Sequence, residues 1–210
     1  MNSVFSYIVT SDSGFAPNPF HGFCTLACCK PMIRRTARVG DWIVGLAPKR
    51  FGHGMVFAMR VGEKMTFADY WQDVRFQGKK PLFGPGTDRM RHRGDNAYEP
   101  LSDGGFRQWH CGHSNKDGSE SEHGKHRDLT GRYVLVSDAF SFFGAEAVPL
   151  PSEFEWLVVG RGHRRIHVAA DPRAGALVAF LENLRGGLQK HPRRWPSEDD
   201  SWKAHTRFMA

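Results

Sequence analysis

The sequence contains no apolar run approaching the roughly 20 residues that a bilayer-spanning helix needs, so neither a membrane span nor a membrane partner is expected. Its first residues, MNSVFSYIVTSDSG, lack a basic start, a long apolar centre and a small-residue cleavage site. The expectation is therefore a cytoplasmic protein without a signal peptide. Cysteine is scarce: four residues in 210, three of them Cys24, Cys28 and Cys29. Adjacent Cys28 and Cys29 cannot pair without unusual strain, so a disulfide framework is excluded and reduced thiols are expected. Nucleotide-cofactor signatures are missing too. There is no Rossmann fingerprint, no Ser-His-Asp order and no kinase signature. The basic glycine loop at 160–162, with Arg161, His163, Arg164 and Arg165, lacks P-loop spacing. Nothing points to NAD, flavin or ATP, and the cofactor stays unknown.

What is present is a basic, globular composition. Lys and Arg number 29 against 22 Asp and Glu, giving a net charge of +7 and a pI of about 9.5. The hydrophobic share of 40% suits a chain with a real core. Basic residues cluster at 30–38, 49–50, 79–80, 89–93, 161–165 and 190–194, mostly beside glycine, proline or aromatics. Loops that present cations next to rings suit a phosphate-and-base ligand, so DNA or a nucleotide is the expected partner.

Strand composition marks 4–10, 42–46 and 55–61, with 132–137 and 139–143 as a strand pair. Residues 25–29 form a short apolar run that fits a strand or a helix. Pro31 opens a short helix over 32–38, and Thr66-Phe67-Ala68-Asp69 has capping-box spacing for a helix through Trp71. Asp171-Pro172 starts the clearest helix, on which Leu177, Val178, Leu181 and Leu184 recur at helical spacing, and Gly186-Gly187 ends it. Residues 78–131 are polar, with little periodicity, and read as a long inserted loop. One α+β domain over 1–188 is expected, followed by a charged tail over 189–210, where Trp195 and Trp202 are candidates to dock.

The densest chemistry lies in residues 14–31, GFAPNPFHGFCTLACCKP. Thiols become nucleophiles when a cation or a helix N-terminus lowers their pKa, and Lys30 stands beside them. Cys28 or Cys29, with Cys24 as a further candidate, is the expected nucleophile, and His21 the expected acid–base partner. On a strand, Cys24 and Cys28 would share one face and Cys29 the other. The bland alternative is that all three are small buried hydrophobes. A base-and-phosphate pocket draws on Phe15, Asn18, Phe20, Trp42, Trp71 and Trp109 as rings or polar contacts. Asp95 and Asn96 are placed to read a base edge, and Lys30, Lys79, Lys80, Arg91 and Arg93 to hold phosphates; for each ring the alternative is core packing. His110, Cys111, His113, His123 and His126 have short spacings of the kind zinc takes, without a clean two-by-two pattern, so a polar loop is the stronger reading. Asp41 is expected to serve the turn that follows Gly40.

Several segments together resemble one family: residues 14–45, 59–71 (MRVGEKMTFADYW), 78–81 (GKKP), 93–100 (RGDNAYEP) and 134–151 (VLVSDAFSFFGAEAVPLP). Their order and wording are similar to the second of the nucleotide modification associated domains, found in bacteria and their phages and labelled as DNA base hypermodification proteins. The resemblance covers roughly the first three quarters of the chain. It implies a role in DNA base modification, in company with other modification proteins, and supplies no catalytic residues. The short helix, Val39-Gly40-Asp41 turn and strand also resemble PUA-like barrels (the EVE, ASCH and YTH relatives), which implies a small mixed β-barrel. Three roles stay open: a nucleobase-modifying enzyme, a reader of modified bases, and a structural subunit of a modification complex.

Overall fold

A computed structural model describes residues 2–195. The described residues form a mixed α+β structure of two main sheets, a hairpin and four short helices. Strands β1 (Ser3–Ile8), β3 (Trp42–Leu46) and β4 (Met55–Arg60) form the centre of a six-stranded sheet. It is completed by β9 (Phe140–Phe142), β10 (Arg164–His167) and β11 (Gly187–Leu188), in the order β10-β1-β3-β4-β9-β11. β1 and β3 are parallel; β3–β4, β4–β9 and β1–β10 are antiparallel. A second sheet pairs β2 (Cys24–Leu26), β8 (Tyr133–Ser137) and β5 (Glu63–Thr66) in the order β2-β8-β5, and β6 (Tyr98–Pro100) and β7 (Phe106–Gln108) form a hairpin. The expected barrel is corrected: the sheets do not close on one another. β8 and β9 are likewise not a strand pair, because each joins a different sheet.

Period-two alternation builds the cores. Along β1, Phe5 and Tyr7 face a core shared with Cys24 and Leu26 of β2, Ile43, Phe57 and Met59. Val4 faces the opposite core with Trp42, Val44 and Ala58, which the helix α4 (Arg173–Glu182) covers through Ala174, Leu177 and Leu181. A third core lies beneath the second sheet and joins Val134 and Val136 to Phe67, Tyr70, Phe76, Tyr98 and the thiols Cys28 and Cys111. Cys24 and Cys28 therefore do not share a face, because strand β2 stops at Leu26 and the chain turns before Cys28.

Helix α1 (Pro31–Thr36) starts at its proline, and α2 (Phe67–Gln72) starts at the expected cap, where the Thr66 hydroxyl accepts from Asp69 N at 3.1 Å. Asp41 serves its turn by accepting from Ser3 N and Arg38 N, at 2.7 and 2.8 Å. The segment 78–131 departs from the expected loop. It holds β6, β7, a 3-10 turn at Arg91–Arg93 and helix α3 (Glu122–Leu129), capped by Ser121. Low apolar content hid them, since they take order from buried hydrogen bonds more than from periodicity. Trp195 docks on Phe20 and His191, with ring centroids 5.0 and 4.7 Å apart. Trp202 lies outside the described residues.

Candidate functional site

Between β2 and α1 the chain makes a tight turn in which two consecutive non-glycine residues are left-handed: Cys29 at φ 60° and Lys30 at φ 38°. Each such residue costs about 1–2 kcal/mol, so the surroundings must hold the turn in place. Asp128 and Arg34 hold it. The Asp128 Oδ1 accepts from Cys29 N at 2.9 Å. The Arg34 side chain is wholly buried and donates to the carbonyls of Cys29 (2.8 Å), Tyr133 (2.9 Å) and Asp128 (2.5 Å). The fork of the guanidinium thus ties the thiol turn, strand β8 and the end of α3 together.

His113, in the loop after β7, completes the group. Its Nδ1 lies 2.6 Å from Asp128 Oδ2, and its Nε2 lies 3.4 Å from Cys29 Sγ. Tyr98 donates its hydroxyl to the same Asp128 oxygen at 2.7 Å. Gly124 lets α3 come this close, since a Cβ there would lie 2.6 Å from the His113 carbonyl oxygen. Phe15 packs edge-on against the imidazole at 4.9 Å. The thiol, imidazole and carboxylate thus stand in line, the arrangement in which a carboxylate orients a base and the base serves a nucleophile.

Electrostatics follow from burial and partners. Burial of His113 favours the neutral ring, but the hydrogen bonds to Asp128 and Cys29 outweigh it and raise its pKa to about 9. The Arg127 Nη2, 3.2 Å from Nε2, opposes the imidazolium; being solvated, it weighs less than the buried carboxylate. Burial pushes Asp128 up, yet the bonds from His113, Cys29 N and Tyr98 leave it lowered. The other thiols are core residues. Burial raises Cys24 to about 12 and Cys111 to about 11, and holds Cys28 well above its ordinary value. Cys29 alone among the four is partly exposed.

The Cys29–His113 pair opens on a cleft of about 280 Å³, lined also by Ser11, Ser13, Phe15, Arg93 and Arg194. Of the residues singled out in the sequence, Cys29, His113, Phe15 and Arg93 meet here. The others sit elsewhere. His21 lies against Gly78, and burial and then Lys79 lower its pKa. Phe20 and Trp42 are buried in packing. Lys79 is wholly buried, donating to Asn18 O, Asn18 Oδ1 and Phe23 O at 3.1, 2.7 and 2.9 Å. Asp95 is also buried, accepting from Thr25 and Tyr70 at 2.7 and 2.8 Å, while Asn96 donates to Tyr70 O at 2.9 Å. These residues brace the 14–31 segment and present no edge to a ligand. Lys30 and Lys80 cover the rings of Tyr7 and Trp71 at 4.4 and 3.8 Å.

A metal has one candidate group among the described residues: Cys28, His113 and Asp128 offer one ligand atom each within 4.8 Å of one another. Sulfur, nitrogen and oxygen donors of this kind suit zinc. Of the histidines read as metal candidates, only His113 belongs to it. His110 stacks on Phe83 at 4.3 Å, and His126 lies on the far side of α3 among Glu120, Glu122 and Lys125. Sequence reasoning missed Asp128, Tyr98, Arg34 and Arg127. The available signal was Ser121 three residues before Gly124, which marks the start of a helix carrying Asp128 in its last turn.

Fold and site together define an α+β protein with a cysteine–histidine–aspartate group at the wall of a small basic cleft. The family described as nucleotide modification associated domain 2 matches residues 1–199, and the chain belongs to it. The family description places the protein in nucleotide modification. No curated protein and no solved structure matches the chain. No helix among the described residues is long and apolar enough to cross a membrane.

Proposed function

We propose that the protein is a thiol-dependent enzyme of nucleotide modification, with Cys29 as nucleophile, His113 as acid–base partner and Asp128 orienting the imidazole. The observation that carries this reading is the line from Cys29 Sγ to His113 Nε2 (3.4 Å) and from His113 Nδ1 to Asp128 (2.6 Å), at the wall of an open cleft. At that distance the imidazole is placed to take the thiol's proton and to give it back. The thiolate would add to an electrophilic carbon of a nucleobase or of the group being attached to it. A sulfur–carbon bond forms, the π pair of that carbon moves to its neighbouring atom, and that atom takes the proton from His113 Nε2. Collapse of the adduct returns the electron pair and the proton by the same path. DNA, or a nucleotide precursor of it, remains the substrate class, and other modification proteins the expected company.

A reader of modified bases is less well supported, because of the five rings Phe15, Phe20, Trp42, Trp71 and Trp109 only Phe15 lines the cleft: Phe20 and Trp42 are buried, and Trp71 and Trp109 pack on each other at 5.1 Å. The test is alkylation by iodoacetamide at pH 7, followed by mass spectrometry of each cysteine. Cys29 should react first. His113→Gln should slow it about tenfold or more while the fold is retained, the scale expected when a thiol loses its ion-pair partner. A rate at Cys29 unchanged by His113→Gln would remove the nucleophile reading. Zinc bound stoichiometrically, with Cys29 alkylation indifferent to its removal, would instead favour the Cys28–His113–Asp128 group as a metal centre.

A further inference from the structure

Besides the thiol, the cleft is lined by Arg93 and Arg194 and, among the described residues, by no carboxylate. Arg93 is half-buried, and its Nε is buried and without a hydrogen-bond partner among the described residues. Among the described residues its one side-chain hydrogen bond is from Nη2 to the Arg194 carbonyl at 3.3 Å. Arg194 lines the same cleft, and Arg127 Nη2 lies 3.2 Å from the His113 imidazole. Among the described residues no Asp or Glu forms an ion pair with Arg93, Arg127 or Arg194. A buried guanidinium nitrogen without an acceptor is unfavourable unless a ligand supplies one; Arg34, by contrast, is satisfied by three carbonyls. The hydroxyls of Ser11 and Ser13 line the cleft beside Arg93 and add donors suited to an oxyanion.

From this juxtaposition we infer that the cleft holds a phosphate of the substrate on Arg93, with Ser11, Ser13 and Arg194 around it, and so presents the rest of the ligand to Cys29. The planar guanidinium is the group that grips a phosphate by two parallel bonds. Backbone order supports the placement: the turn carrying Arg93 is pinned by Asn18, whose Nδ2 donates to the Arg93 carbonyl at 2.7 Å, and Asn18 belongs to the segment that ends in Cys29. The phosphate site and the thiol are thus held by one braced unit. The cleft lies at the lower end of small-molecule pockets, which favours a mononucleotide-sized ligand. This inference rests on Cys29 being the reactive group, and the experiment separates the two.

The experiment compares iodoacetate with neutral iodoacetamide on the full chain, with glutathione as the reference thiol. Fast reaction of Cys29 with iodoacetamide tests the thiol alone. Relative to glutathione, the protein should prefer the anionic reagent by severalfold, and Arg93→Gln should bring the ratio of the two reagents' rates back to that of glutathione. In the wild-type chain, millimolar inorganic phosphate or thymidine 5′-monophosphate should protect Cys29, and thymidine should not. A single-stranded oligonucleotide without terminal phosphates forms a second arm. Protection by the monophosphate alone identifies a free nucleotide, and protection by the oligonucleotide identifies a phosphodiester. If neither phosphate source protects and the reagent ratio matches glutathione, there is no phosphate site. Should Arg93→Gln fail to fold, the competition arms on the wild type decide alone.

Discussion

His113 is the residue whose ionisation should be visible in the stability of the whole protein. It faces Asp128, Cys29, Arg127 and the ring of Phe15, and the balance raises its pKa from 6.5 to about 9. A raised pKa means that the folded state holds the proton more tightly, so the stabilisation is complete below about 6.5 and is lost as pH rises through about 9. Lys79 acts in the opposite sense. Burial lowers it from 10.5 to about 8, so between these values the unfolded chain binds more protons and stability rises with pH. The two effects overlap only above pH 8. Between pH 6.5 and 8, the urea midpoint of the wild type should fall more steeply than that of His113→Gln. Parallel curves there would show that the imidazole is not held as an imidazolium. Lys79 supports a second prediction at this scale. Its amine donates to three acceptors around Asn18 and Phe23, so Lys79→Met leaves the Phe23 carbonyl unpaired among the described residues and takes one donor from each Asn18 oxygen, which keep only Thr25 N and Phe20 N as main-chain donors. The expected loss is about 3–5 kcal/mol, the scale for removing one member of a buried charged network, read from chemical denaturation. A loss below 1 kcal/mol would mean that water replaces the amine.

At the scale of elements, helix α2 shows how much local sequence can decide. Its start was legible because capping chemistry is local. Thr66 accepts from Asp69 N as expected, but Asp69 takes the Thr66 hydroxyl at 2.6 Å in place of the usual backbone N–H. Thr66→Ala should therefore lower stability by about 1 kcal/mol, with Thr66→Ser close to neutral. A loss well beyond 2 kcal/mol would show that the cap also positions Tyr70, whose hydroxyl meets Asp95. Strands β1, β3 and β4 and the start and apolar face of helix α4 were equally legible, because alternation and helical spacing report which face is buried; the helix itself ends at Glu182, before Leu184 and the expected Gly186-Gly187 stop. Helix α3 was not, since GKHRD carries no apolar stripe and the helix is held by Ser121, Arg34 and the Tyr98–Asp128 bond. For the same reason the thiol segment was legible as a site while its partner was not. His21 is near Cys29 in sequence, but His113 is near it in space, across 84 residues. Segment composition identifies reactive groups, and only the packing of α3 under the Cys29 turn selects the histidine.

The whole molecule joins these parts through cores that share strands. β8 contributes Leu135 to one core and Val134 and Val136 to another, and β2 faces the first core while the turn after it places Cys28 in the third. The Cys29 turn, strand β8 and helix α3 are clamped by one buried arginine, so the site should not open by itself while the sheets stay intact. The four thiols report on this directly. Cys24 and Cys28 are wholly buried in different cores, Cys111 nearly so, and Cys29 opens on the cleft. In pulsed alkylation across a urea series, Cys29 should label at zero denaturant. Cys24, Cys28 and Cys111 should become reactive together, at the midpoint seen by far-ultraviolet circular dichroism, as a cooperative transition requires. Arg34→Met would sharpen the reading by removing the clamp: Cys28 and Cys111 should then label at lower urea than Cys24, because the third core loses its tie to α3 and β8 while the main sheet keeps its own packing. Simultaneous exposure of all three in that variant would mean that the sheets, and not the arginine, hold the site closed.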